Sequence, residues 1–160
     1  MIVVCDSTVL IGLSRIGKLE LLRDLFGQIS VPGAVFTEVA GKGMNRPGAE
    51  SLKQADWIKP TDIADRSQVS FLLGTLDRGE AEVLVLAREL EADLVLLDEE
   101  KARKIAVIAG FDIMGLLGLF VLAKRIGVID RIRPLIEDLR RKNFRVSDRI
   151  VSEALKRAGE

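Results

Sequence analysis

Residues 93–109 read DLVLLDEEKARKIAVIA. The aliphatic run at 94–97 predicts a buried strand, and the acidic residues Asp98, Glu99 and Glu100 follow it directly. The apolar residues after them recur at helical spacing, which predicts that a helix begins at once. This stretch therefore predicts a strand that ends in an acid at the start of a helix.

A second stretch of the chain has the same pattern. Residues 1–5 read MIVVC, and Asp6, Ser7 and Thr8 come next, ahead of another helical pattern. In a parallel sheet, neighbouring strands end at the same edge. We therefore expect Asp6 and Asp98 to meet in one site, where the two strands stop.

Between and after these stretches, short aliphatic runs alternate with helical patterns. That alternation predicts an α/β fold with a mainly parallel sheet covered by helices on both faces. We expect a single domain over residues 1–160, with a core at about 1–125 and a C-terminal helical extension at about 126–160. Among the details, Pro32 is predicted as the first residue of a helix, residues 60–66 as a loop, and residues 129–140 as a helix.

The composition limits the chemistry. The chain has 160 residues, equal numbers of basic and acidic residues (24 each), one cysteine and no histidine. The missing histidines exclude His-ligated zinc and Ser-His catalysis, so a metal would need oxygen ligands, as Mg²⁺, Mn²⁺ and Ca²⁺ do. No apolar run reaches the roughly 18 residues of a membrane span, and we expect a cytoplasmic protein.

Each acidic residue also has a structural interpretation. Asp6 and Asp98 could simply cap helices, which for a single sequence is the more frequent outcome. Glu80 lies at the head of an apolar helix stripe, where an unpaired carboxylate is costly, so it should pair with an arginine or face a cation. Glu82 is on a more mixed face, could be solvated, and ranks below Glu80 as a site residue. Glu38 alone says little, but four converging acids would need a cation to relieve their repulsion.

Four segments in this order resemble the PIN domain, and more closely the prokaryotic PIN-like group DUF3368. They are residues 4–11 (VCDSTVLI), 35–39 (VFTEV), 79–82 (GEAE) and 97–103 (LDEEKAR). The resemblance covers nearly the whole chain and implies a Rossmann-like three-layer α/β/α domain. It also implies a Mg²⁺- or Mn²⁺-dependent ribonuclease, in many relatives the homodimeric toxin of a toxin–antitoxin pair.

Carried over to this chain, the resemblance implies a set of site residues. The catalytic and metal-binding acids would be Asp6, Glu38, Glu80 and Asp98, with Glu100 as an accessory ligand. Ser7, Thr8, Glu82 and Glu99 would support them. Single-stranded RNA would be held by Lys101, Arg103, Lys104, Lys42 and Arg46, although for any one of these a solvated or ion-paired side chain is the more frequent outcome.

The chain departs from the group's pattern at two positions. Glu99 stands where the group often has a second aspartate, and Leu116 follows Gly115 where a threonine is common. The second change removes a hydroxyl near the expected substrate groove. It supports the alternative of a PIN-like module that binds nucleic acid or a protein partner without cutting. A phosphatase with a strand-end aspartate nucleophile is disfavoured, because the second aspartate that such enzymes use is missing after Asp6.

The C-terminal third carries both apolar and charged helix faces. The charged residues are either a solvated ionic face or part of a protomer or partner interface. The sequence leaves both interpretations open.

Overall fold

A computed structural model describes residues 1–41 and 48–160 of the chain. In these two ranges, five strands form one sheet in the order β3-β2-β1-β4-β5, and all four neighbouring pairs are parallel. The strands are β1 (Val3–Cys5), β2 (Ile29–Pro32), β3 (Ile58–Thr61), β4 (Leu94–Leu96) and β5 (Ile113–Met114). The predicted α/β fold with a parallel sheet is confirmed, in the three-layer arrangement.

Helices flank this sheet and connect its strands. In the described residues they are α1 (Ser7–Arg15), α2 (Glu20–Phe26), α3 (Gly33–Gly41), α4 (Ala49–Gln54), α5 (Arg66–Leu72), α6 (Arg78–Glu89), α7 (Glu100–Ile108), α8 (Leu116–Arg125), α9 (Arg133–Arg141) and α10 (Asp148–Arg157). Parallel strands need such crossovers, since a tight turn can join only antiparallel neighbours.

The two central strands, β1 and β4, are apolar throughout because helices cover both faces of the sheet. All residues of β1 are buried, and so are Leu94, Val95 and Leu96 of β4. The register pairs Cys5 with Leu96. The residues that follow the two strands are therefore delivered side by side at the carboxyl edge.

Two sequence predictions around prolines were wrong. Pro32 is the last residue of β2, where it pairs with Thr61, and is not the first residue of a helix. The predicted loop at 60–66 begins with the last two residues of β3, Pro60 and Thr61. Pro60 fits in β3 because β3 is an edge strand, and one side of an edge strand donates no backbone hydrogen bonds to a neighbouring strand.

The C-terminal helices pack on the same core as the sheet. The cluster of buried apolar side chains that includes the sheet also includes Ile132, Leu135, Ile136 and Leu139 from the α9 region and Val151 from α10. The predicted helix at 129–140 begins later than expected, at Arg133, because Pro134 suits the first turn of a helix.

In the described part of the chain, we find no helix with the length and apolar character that crossing a bilayer requires.

Candidate acidic active site

The carboxyl ends of β1 and β4 form the centre of the candidate site. The order of the sheet reverses here, because β2 lies on one side of β1 and β4 on the other. In open α/β sheets, ligands bind in the crevice at such a switch point. Asp6 follows β1 and Asp98 follows β4, so the topology places both acids at this crevice.

Asp6 is the most enclosed acid of the site, with only 3% of its surface exposed. One carboxylate oxygen, Oδ1, accepts the Val9 backbone N–H at 2.9 Å and so caps α1. The other, Oδ2, accepts the Asp98 backbone N–H at 3.5 Å. Asp6 is therefore a helix cap and a direct neighbour of Asp98 at the same time.

Asp98 is held by the start of α8. Its Oδ1 accepts the Leu116 backbone N–H at 3.0 Å. Gly115 allows this close approach, since a methyl group added there would lie 2.5 Å from Asp98 Oδ1. The guanidinium of Arg103 donates to the Leu97 carbonyl oxygen at 2.8 Å and stabilises the backbone just before Asp98.

Glu80 is at the first turn of α6, where it takes part in a capping box. Its backbone N–H donates to Asp77 Oδ1 at 2.8 Å, and its own Oε2 accepts the Asp77 backbone N–H at 3.2 Å. The expectation that Glu80 must pair with an arginine or face a cation is therefore too narrow. The half-buried carboxylate is satisfied by its own helix.

The acids influence one another electrostatically. Burial, together with the negative charges of Asp98 and Glu80, raises the pKa of Asp6 to about 7, although two backbone N–H groups oppose the shift. Burial also raises the pKa of Asp98, against the Leu116 N–H and Arg103. For Glu80, burial and the charges of Asp77 and Glu99 raise the pKa. The site thus holds carboxylates that would gain from a cation.

A groove of about 650 Å³ runs from this acidic edge along the C-terminal helices. Thr8, Asp98, Glu99 and Glu100 line its acidic end. The remainder is formed by α8, by residues 144–147 and by one face of α10. We call this cavity the C-terminal groove.

The comparison with protein families agrees with this geometry. The sequence profile of the family described as DUF3368: PIN domain matches residues 2–160. The chain belongs to the PIN-domain family. The family has a nuclease-like fold and typically binds nucleic acid. A search of curated proteins found no match for the chain.

In this PIN domain, the predicted acids differ in the contacts that they make with one another. Asp6 and Asp98 are in contact, and Glu80 and Glu99 lie within electrostatic reach. Glu38 is exposed on α3, and no hydrogen bond among the described residues ties it to the others. Over residues 1–41 and 48–160, no three acidic side chains form a ready-made metal cluster.

The supporting residues have mixed positions. Ser7 and Thr8 are in the first turn of α1, half-buried, beside Asp6. Glu99 caps α7 by accepting the Ala102 N–H at 2.8 Å. Glu100 is exposed and pairs with Lys104 at 2.9 Å.

Glu82, for which the sequence allowed a position in solvent, is buried. Only 1% of its surface is exposed, and its Oε1 contacts Arg66 Nη1 at 2.7 Å and Arg78 Nε at 3.4 Å. This places Glu82 between α5 and α6, in an ion pair of its own. Helical spacing could not show this, because it does not reveal which helix packs on that face.

The predicted RNA-binding residues differ in their surroundings. Arg103 lines the C-terminal groove, but its guanidinium is engaged with the Leu97 carbonyl oxygen. Lys101 is exposed on α7, and Lys104 pairs with Glu100. Lys42 and Arg46 lie outside the described residues. The arginines that do line the groove beyond Arg103 are in the C-terminal part of the chain, where sequence analysis did not place substrate contacts.

The donor chemistry of the site fits a hard divalent cation. Every side chain at its centre is a carboxylate, and Cys5 beneath it is fully buried. Mg²⁺ commonly binds proteins through one or two carboxylates while keeping several waters. Asp6 and Asp98, with Glu80 at the flank, are sufficient for that mode, so the lack of a three-acid cluster in the described residues is compatible with it.

Proposed function

We propose that this PIN domain is a divalent-metal-dependent ribonuclease that hydrolyses RNA phosphodiesters, with Mg²⁺ or Mn²⁺ as its cofactor. The observation that carries the proposal is the contact between Asp6 and Asp98 at the switch point of the sheet. Two strand-end carboxylates, one nearly fully buried, are placed where the fold binds its ligands.

The roles of the residues follow from their positions. Asp6 and Asp98 would hold the cation, and Glu80 would complete its surroundings from α6. The bound ion would activate water and stabilise charge on the phosphate. A chain without histidine has no imidazole that could act as the general base, so the ion would take that role. The backbone of Leu116 fixes the orientation of Asp98, and Arg103 fixes the strand end behind it.

The buried position of Leu116 bears on the missing threonine. Its side chain is only 1% exposed and lies beside Phe144 above Gly12 of α1. The residue thus serves the core through its side chain and the site through its backbone N–H. In this chain, the residue at 116 packs in the core instead of presenting a threonine hydroxyl to the groove. The hydrogen bond that positions Asp98 comes from the backbone, so it does not depend on the side chain at 116.

The test is Mn²⁺-dependent cleavage of end-labelled RNA by the parent protein and by Asp98→Asn. The amide can still accept the Leu116 N–H, so thermal stability should change little. Since even outer-shell partners of a metal are worth about 10- to 100-fold, loss of a direct ligand should lower the cleavage rate by at least about 100-fold.

The matched control is Asp112→Asn, an exposed aspartate just before β5, at the opposite edge of the sheet. It should cut at the parent rate. Cleavage by Asp98→Asn at the parent rate would reduce Asp98 to a positioning residue for α8.

A binding module that does not cut is the second candidate. It is favoured by the absence of a three-acid cluster in the described residues. The same Mn²⁺ titration separates the two functions, because a binder shifts labelled RNA without shortening it.

We extend the proposal to a toxin role, a protein antitoxin and a homodimer, on the basis of the family resemblance. Growth arrest on expression, relieved by Asp98→Asn, would support the toxin role. Unchanged growth under conditions where the purified protein cuts RNA would contradict it.

A further inference from the structure

The C-terminal groove has a positively charged rim. Beyond Arg103 it is lined by Arg125 at the end of α8, Arg145 between α9 and α10, and Arg149 and Arg157 on α10. All four side chains are exposed. In the part of the chain that the structure describes, none of these four forms an ion pair.

Four other arginines differ from these in being ion-paired. Arg66 and Arg78 are paired with Glu82, and Arg140 and Arg141 with Asp148 and Asp138. The chain has no net charge. The groove arginines are therefore a local concentration of cations and not the consequence of a basic protein.

The groove also has a direction. Arg149 and Arg157 are eight residues apart on α10, roughly 12 Å along the helix axis. At the other end, Arg149 lines the groove together with Asp98, Glu99 and Glu100, so the start of α10 reaches the acidic edge. The floor is apolar, with Met114, Leu117 and Val121. Arginines thus follow an apolar channel that ends at Asp98, with one acid on the same wall, Glu153, between Arg149 and Arg157 on α10.

We infer that the C-terminal groove binds single-stranded RNA on its way to the acidic site, with phosphates on the arginine rim and bases against the apolar floor. The inference rests on the proposed function for what happens at Asp98. A volume of about 650 Å³ is within the range of pockets that enclose small ligands, so the groove would take a short unpaired segment of the strand. The chain has six Phe, one Trp and no Tyr, so affinity would come mainly from phosphate contacts.

The first experiment measures binding without cleavage. Fluorescein-labelled single-stranded oligouridylate RNA is titrated with the full-length protein in EDTA, and anisotropy is recorded over a range of salt concentrations. Arg145→Ala/Arg149→Ala should weaken binding at least about tenfold. The slope of log affinity against log salt should fall by about 0.7 for each phosphate of the single strand that is no longer neutralised.

The matched control is Arg15→Ala/Arg23→Ala, which removes the same charge from exposed arginines outside the groove. It should bind as the parent does. Equal affinity and equal salt slope for the groove and control variants would overturn the inference. A protein partner would then be the alternative occupant of the groove. Thermal melts verify that every variant is folded.

A second experiment separates this inference from the proposed function. With Mn²⁺, Arg145→Ala/Arg149→Ala should raise KM for the oligonucleotide while kcat stays near the parent value. If the parent binds RNA through the arginines in EDTA but never cuts it, the RNA-binding role of the groove is supported and the ribonuclease proposal is contradicted. If the parent cuts RNA and both double variants have the parent KM, the ribonuclease proposal is supported and the RNA-binding role of the groove is contradicted.

Discussion

Asp6 illustrates how one side chain satisfies two interpretations that the sequence presents as alternatives. It accepts the Val9 N–H as an N-cap, and it lies beside Asp98 at the strand ends. A cap normally faces solvent at the protein surface, whereas this one is buried. Burying a carboxylate beside a second one costs folding free energy unless a proton or a cation neutralises it.

The cost at Asp6 predicts an unusual dependence of stability on pH. Its pKa is raised from the ordinary aspartate value of 3.8, which applies to the unfolded chain, to about 7 in the folded protein. Between these two pH values the folded form binds a proton that the unfolded form has released. Stability contributed by this group is therefore greatest at low pH and is lost as the pH rises towards about 7.

Asp6→Asn keeps the cap oxygen and removes the charge. In EDTA at about pH 8 we expect the variant to be more stable than the parent by about 1–4 kcal/mol, and this advantage should shrink by about pH 5. Urea unfolding at both pH values measures the difference. An advantage that is absent at high pH, or equal at both, would contradict the buried charge.

At the scale of elements, the pair of α5 and α6 is joined by the buried Glu82. Its carboxylate is enclosed, while Arg66 and Arg78 are largely exposed. Removing the arginines leaves an uncompensated buried charge, whereas removing the glutamate leaves two cations that can turn into water.

This asymmetry gives a prediction for a triple variant. Arg66→Ala/Arg78→Ala should lower the free energy of unfolding by about 1–3 kcal/mol, less than for a fully buried pair, because both arginines are more than half exposed and water can replace them. Adding Glu82→Gln should recover part of that loss, because a neutral amide is less costly to bury than a carboxylate. Chemical denaturation of the parent, double and triple variants tests this. A further loss on adding Glu82→Gln would show that the carboxylate is satisfied without the arginines.

The elements also show which features can be predicted from sequence. Strands β1 and β4 are continuous aliphatic runs, and the acids after them are local signals, so the Asp6–Asp98 neighbourhood follows from parallel topology alone. The burial of Glu82 and the extension of β3 through Pro60 depend on tertiary neighbours. The arginine rim depends on the chain after α8 folding back along the strand ends, which no local pattern encodes.

At the scale of the whole molecule, that return path joins the C-terminal helices to the site. Phe144 lies with Leu116 above Gly12 of α1, and α10 packs on α8. The start of α8 in turn holds Asp98 through the Leu116 N–H. The helices after residue 125 therefore support both the core and one wall of the groove.

We expect this arrangement to make the chain one cooperative unit, and the single tryptophan provides a test. Trp57 precedes β3 at the sheet edge, far along the sequence from α9. Ile136→Ala removes a core side chain of α9 that is 2% exposed and should cost about 2–5 kcal/mol. Since a shared core must melt as a whole, the urea midpoint from Trp57 fluorescence should fall together with that from circular dichroism.

The control is Ile150→Ala, at a 45% exposed position, which should shift neither midpoint substantially. If the Trp57 transition stayed in place while the helical signal melted early, residues 126–160 would be a separately folding extension, and the groove would have a detachable wall.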